Sequence, residues 1–129
     1  MSDIGNVLVR DHGRDSGVWI QSQRGGADML LHVARMLREH VDAWRDAARL
    51  RALLVVHLET ERLSSFVFSS IPTVRSPHPS IVLFVESGTS WQSTVSVAGF
   101  DGTDITMTFA QITSMPDDAI MAHFAPVWR

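Results

Sequence analysis

The chain has 129 residues, of which 11 are basic and 14 acidic, and its formal net charge is -3 at pH 7. This length is typical of one domain. Because the net charge is slightly negative, the chain has no overall positive field that would attract nucleic acid. The absence of cysteine excludes disulfides, thiolate catalysis and cysteine-ligated metal sites. We therefore predict a single domain spanning residues 1–129 that does not bind nucleic acid.

The first third of the sequence predicts a β-hairpin followed by one long amphipathic helix. Apolar clusters at residues 7–9 and 18–20 flank the turn-rich residues 11–17, as expected for a hairpin. Asp28 is placed to cap a helix that begins at about Met29. Apolar residues then recur at helical spacing, at Leu30, Ala34, Leu37, Val41, Trp44 and Ala48. This stripe predicts a helix of roughly 30 Å with one buried face.

The middle of the chain predicts strands. Residues 53–58 and 81–85 are nearly continuous apolar runs, which are typical of strands covered on both faces. Residues 65–71 predict a further strand, and the prolines within residues 72–79 predict a loop.

The last third predicts a hairpin and a short C-terminal helix. Polar and apolar residues alternate over 91–97 and again over 105–109, as in two half-buried strands. Pro116 is suited to the first turn of a helix that ends at about Phe124. The predicted fold is therefore α+β, with the long helix packed on a mostly antiparallel sheet of about five to seven strands.

The N-terminus and the apolar runs bear on location. No basic segment leads into an apolar run at Met1, and no apolar run is long enough to span a bilayer. We expect a cytoplasmic protein without a membrane partner.

The six histidines are the first candidates for a metal site or a general base. His32 and His40 lie eight residues apart on the predicted helix, about 12 Å, which is too far to share one ion. His57 lies in the predicted strand 53–58, where a half-buried, hydrogen-bonded histidine is the simpler interpretation. An alternative hypothesis is a small enzyme or ligand-binding domain with a pocket between helix and sheet. Its polar groups would be His57 and one of the acids Asp11, Asp15 and Glu59.

The loop at residues 11–17 combines acids, a histidine, an arginine and a serine, which a hydrolytic site would need. Its spacing matches no known motif, and a hairpin turn accounts for its glycines and aspartates. No calcium-loop or phosphate-loop spacing is present in the sequence. We therefore expect no metal and no cofactor.

The outward residues of the last predicted hairpin form an uncharged polar surface, made of Gln92, Thr94, Ser96, Thr106 and Thr108. No lysine or arginine interrupts it, and unguarded sheet surfaces favour association with other chains. Trp128 either packs back on the core or docks into a neighbour. These features favour a non-enzymatic protein-binding module, such as a small chaperone, immunity protein or inhibitor. It would act through the sheet face, the long helix or both, with another protein or a second copy of itself as partner.

Overall fold

The computed structural model describes residues 5–11, 17–22, 28–60, 66–69, 80–86, 93–98 and 103–128. It confirms the predicted α+β class and the mostly antiparallel sheet. The strands are β1 (Gly5–Asp11), β2 (Gly17–Ser22), β3 (Phe66–Ser69), β4 (Ser80–Val85), β5 (Thr94–Ala98) and β6 (Asp104–Thr108). The helices are α1 (Asp28–Glu39), α2 (Ala47–Thr60), α3 (Phe109–Thr113) and α4 (Asp117–Phe124), with 3-10 turns at Val41–Ala43 and Ala125–Trp128.

The six strands form one mixed sheet in the order β3-β2-β1-β4-β5-β6. β1 and β4 run parallel at its centre, and every other neighbouring pair is antiparallel. The apolar run at residues 81–85 is thus a central strand, as predicted. Alternate residues of the central strands point into one hydrophobic core, namely Val7, Val9, Ile81, Leu83, Val85, Val95 and Val97.

The helices supply the other half of this core. α2 buries Leu50, Leu54 and Leu58, which are spaced four apart and so lie on one helix face. Phe109 and Ile112 of α3 and Ile120 and Phe124 of α4 join the same cluster. Each fully buried side chain of this size contributes about 1.5–3 kcal/mol to folding. The fold is therefore a helical layer on one face of a sheet.

The prediction of one long helix is wrong. α1 ends at Glu39 and α2 begins at Ala47, because two side chains stabilise the break. The Trp44 indole N–H donates to the Leu37 carbonyl at 2.9 Å, satisfying an acceptor in the last turn of α1. Asp46 Oδ1 accepts from the Arg49 amide at 3.1 Å, as an N-cap of α2 does. Of the predicted apolar stripe beyond the end of α1, Trp44 is buried, whereas Val41 is 58% exposed and Ala48 is exposed.

The predicted strand at residues 53–58 is also wrong, because these residues belong to α2. A short apolar run is compatible with either a strand or a buried helix. In a strand, residues 54, 56 and 58 would all point to the same face. Here Leu54 and Leu58 pack on the core while Val56 between them is 60% exposed, which fits a helix. The correction moves two candidate site residues, His57 and Glu59, from a strand and its turn to a helix.

The C-terminal part begins directly after β6. Phe109, predicted as a strand residue, instead starts α3, because Thr108 and Gln111 form a reciprocal capping box. The predicted C-terminal helix is present as α4, with Pro116 immediately before it. None of the helices in the described part of the chain has both the length and the apolar character needed to cross a membrane.

Candidate functional site

The sheet has a second face on which no described helix packs. We call it the outer face. It is formed by the strand residues that alternate with the core-facing ones. Ala98 and Asp104 pair at one end of it, and the other described side chains on β1, β4, β5 and β6 are Leu8, Arg10, Val82, Phe84, Thr94, Ser96, Thr106 and Thr108. Because side chains alternate along a strand, burial of Val95 and Val97 against the helices directs Thr94 and Ser96 to this side.

Strand register aligns these side chains into two rows across four strands. One row contains Leu8, Val82, Ser96 and Thr106, each the direct partner of the next. The neighbouring row contains Arg10, Phe84, Thr94 and Thr108. Directly opposed side chains in adjacent strands lie within contact distance. The two rows therefore form one continuous surface that is apolar on β1 and β4 except for Arg10 and hydroxylic on β5 and β6.

The hydroxyl patch comprises Thr94, Ser96, Thr106 and Thr108, and it brings together four of the residues expected at a binding surface. Thr106 Oγ1 donates to Ser96 Oγ at 3.1 Å, so these two hydroxyls orient each other. The Thr108 hydroxyl accepts from the Gln111 amide at 3.1 Å and so has a structural role as a cap. Thr106 is exposed, whereas Thr94 and Ser96 are half-buried. The patch offers uncharged donors and acceptors to a partner.

The structure does not describe the side chains of the other two predicted binding residues, Gln92 and Trp128. Gln92 lies outside the described residues. Trp128 closes the 3-10 turn Ala125–Trp128, and its side chain lies outside the described part of the chain.

The apolar strip beside the patch was not predicted, and it consists of Val82, Phe84 and Leu8, of which Leu8 is buried. Residues 81–85 were expected to be covered on both faces, yet Val82 and Phe84 are only half-buried. The Arg10 guanidinium lies 5.6 Å from the centre of the Phe84 ring, in a cation–π arrangement. Arg10 is the one charged residue in the two rows, and the exposed Asp104 adds a carboxylate to the outer face at the start of β6. A signal was available in the sequence, because Leu8 and Arg10 alternate with the core residues Val7 and Val9.

The exposed side of the predicted long helix was the second candidate surface, and α1 uses part of it internally. Arg35 Nη2 donates to Asp117 Oδ2 of α4 at 3.0 Å. Arg38 donates to the other carboxylate oxygen and to the carbonyls of Thr113 and Met115. These two arginines hold the pKa of Asp117 below its ordinary value of 3.8, chiefly through the hydrogen bond from Arg35. This part of α1 therefore fastens the C-terminal helices to the domain.

The structure separates two of the four residues of the alternative pocket hypothesis, His57 and Glu59. His57 is half-buried on α2, and Glu59 is exposed two residues away. Residues two apart on a helix do not face each other, so this pair does not form an acid–base site. The Asp11 side chain and the whole of Asp15 lie outside the described residues.

The space between Trp44 and the sheet, where that pocket was expected, holds packed side chains. Trp44 is 8% exposed, and its ring meets Phe109 edge-on at a centroid distance of 5.6 Å. His57 instead approaches His32 of α1, with 3.3 Å between Nε2 of His57 and Nδ1 of His32. Sequence reasoning missed this pair because it treated residues 53–58 as a strand.

Two further findings bear on function. The described residues contain no group of three or more histidine, aspartate or glutamate side chains arranged to hold a metal ion. The chain matches no protein-family model, no curated protein and no solved structure. The outer face and the paired histidines are therefore the two features of the described residues that bear on function.

Proposed function

We propose that the protein is a non-enzymatic protein-binding module that docks another protein chain on the outer face of its sheet. The observation that carries this proposal is the pair of continuous rows crossing four strands on a face without a described helix. Antiparallel sheets often leave one face to solvent, but such a face usually carries charged residues. Here the two rows carry one charged side chain, Arg10, and Asp104 lies beyond them at the start of β6.

The composition of the outer face favours a protein partner. Protein interfaces are depleted of charged residues at their centre and combine apolar contacts with hydrogen bonds. The apolar strip supplies the first, since Val82 and Phe84 keep solvent-accessible surface. The hydroxyl patch supplies the second, and removing hydroxyls from water costs far less free energy than removing charges. A partner with apolar side chains over the strip and polar groups over the patch would match this surface.

Self-association is the first test, because a second copy is one of the two partners the surface fits. Light scattering over a concentration series should show the mass rising toward that of a dimer. Thr106→Glu should weaken this association by at least about tenfold, because a twofold interface brings both new carboxylates together. Thr106 is exposed, so the substitution should leave the fold intact.

Ala48→Glu is the matched control, since Ala48 is exposed on α2 in the helical layer. It adds the same charge on the opposite side of the domain and should leave the mass unchanged. Equal weakening by both substitutions would contradict docking on the outer face.

A chain that stays monomeric would exclude the second copy, and the partner would then be a different protein. A photo-crosslinking amino acid in place of Ser96, introduced in the native host, should give an adduct with one defined protein. Adding Thr106→Glu should abolish that adduct, and the same probe in place of Ala48 should not form it. Adducts of equal yield from both positions, or none from Ser96, would refute the proposal.

The pocket hypothesis makes the opposite prediction for His57. If the outer face is the functional surface, His57→Ala should leave association or crosslinking unchanged. Loss of partner binding in a folded His57→Ala variant, with Thr106→Glu silent, would favour the pocket instead.

A further inference from the structure

Two histidines from different helices meet at the α1–α2 contact. His32 Nδ1 and His57 Nε2 are 3.3 Å apart, and the two rings lie edge to face at 62°. Both side chains are half-buried, so each keeps access to solvent. The pair lies in the helical layer and takes no part in the outer face.

The separation of the two nitrogens matches that of two ligands on one tetrahedral ion. Zinc binds imidazole nitrogens at 2.0–2.1 Å, which places two such ligands about 3.3–3.4 Å apart at a tetrahedral angle. Either ring nitrogen of a neutral histidine serves as a metal ligand. To bind, the two nitrogens would exchange their mutual hydrogen bond for bonds to the metal, and both rings would turn their lone pairs toward a common point about torsions that are naturally broad in histidine.

Both histidines are held in place by buried neighbours. Met29 and Val33 are fully buried on either side of His32 in α1. Leu54 and Leu58 are fully buried on either side of His57 in α2. Because the backbones are fixed by the core, bringing the two imidazoles together costs little additional entropy when a metal binds.

We propose that His32 and His57 form a site for a divalent transition metal of the zinc class. Among the residues that the structure describes, the two imidazoles are the ligands, and water completes the coordination. With two protein ligands rather than the three or four of dedicated zinc sites, the site is open and exchanges its ion with solution. The proposal is independent of partner docking on the sheet.

Calorimetry with zinc chloride on the chelator-treated full chain is the experiment. Wild type should bind one equivalent at pH 7.5, and cobalt should give the visible absorption of a tetrahedral complex. His32→Gln and His57→Gln should each weaken binding by at least about tenfold, since even loss of an outer-shell partner costs that much. His123→Gln, which removes an exposed histidine of α4, is the matched control and should bind as wild type does.

A measurement on the unmodified chain covers the case in which a variant fails to fold. Substoichiometric nickel should broaden the imidazole NMR signals of His32 and His57 before those of the other four histidines. Even broadening of all six, or zinc affinity unchanged in His57→Gln, would show a hydrogen-bonded pair that holds no metal.

Discussion

Replacing Ser93 by alanine is expected to lower the free energy of unfolding by about 2 kcal/mol. Ser93 is fully buried, and its hydroxyl joins two parts of the chain. It accepts from the Glu86 amide at 2.9 Å, directly after β4, and donates to the Trp44 carbonyl at 3.3 Å, between α1 and α2. Alanine would leave both backbone groups without these bonds, and each buried group costs about 1–3 kcal/mol before relaxation.

Urea denaturation followed by tryptophan fluorescence measures this loss, and calorimetry should show Tm falling by about 8 °C. Ser96→Ala is the matched control, because Ser96 is half-buried on the outer face and should change stability by less than about 0.5 kcal/mol. If Ser93→Ala stays within that same margin, the hydroxyl does not hold the helical break against the sheet, and the reasoning fails.

Two further predictions concern helix ends. Asp46→Ala should lower the free energy of unfolding by about 1 kcal/mol, because it removes the N-cap of α2. Asp42→Ala is the control: it breaks an exposed pair with Arg49 and should lower the same free energy by less than half as much. Equal losses from both substitutions in urea denaturation would refute the cap. Asp117→Asn should lower Tm at pH 7, because the lowered pKa of Asp117 adds stability above pH 3.8. That contribution disappears as pH falls through the folded-state pKa, so the two melting curves should converge in acid, and a pH-independent difference would contradict the Arg35 and Arg38 interaction.

The alternation of polar and apolar residues predicted the strands and their two faces most directly. Alternation at residues 91–97 placed Thr94 and Ser96 on the face opposite Val95 and Val97, and the structure has them there. The reason is physical: a strand offers two faces, and burial of one fixes the other. The apolar strip was missed because an uninterrupted run such as residues 81–85 hides its alternation.

The break between α1 and α2 could not be read from periodicity. The apolar stripe continues through Val41 and Trp44, and no glycine or proline interrupts it. What ends α1 is a side-chain bond from Trp44 to the Leu37 carbonyl, and what starts α2 is the Asp46 cap. In the sequence, Asp46 lies among charged residues and looks like an exposed residue of a continuous helix. Its role as a cap becomes visible only when the start of α2 is known.

The same misassignment concealed the paired histidines. With residues 53–58 taken as a strand, His57 had no reason to meet His32, which is 25 residues away in sequence. Assigning α2 correctly would still leave the relative register of the two helices undetermined. That register depends on how Leu54, Leu58 and the buried face of α1 share one core, which is a property of the packed domain.

The one-sided helical layer makes the two proposals separable by experiment. The histidine pair joins α1 to α2, while the outer face is formed by β1, β4, β5 and β6, so the whole sheet lies between them. A metal ion at His32 and His57 would tie together helices that the core already holds, and it would contact none of the partner-binding side chains. Zinc should therefore raise Tm without changing partner affinity, and Thr106→Glu should weaken the partner without changing zinc affinity. Coupling between the two would require the ion to move α2 against β1, where Arg51 Nη2 contacts the Val9 carbonyl at 3.5 Å.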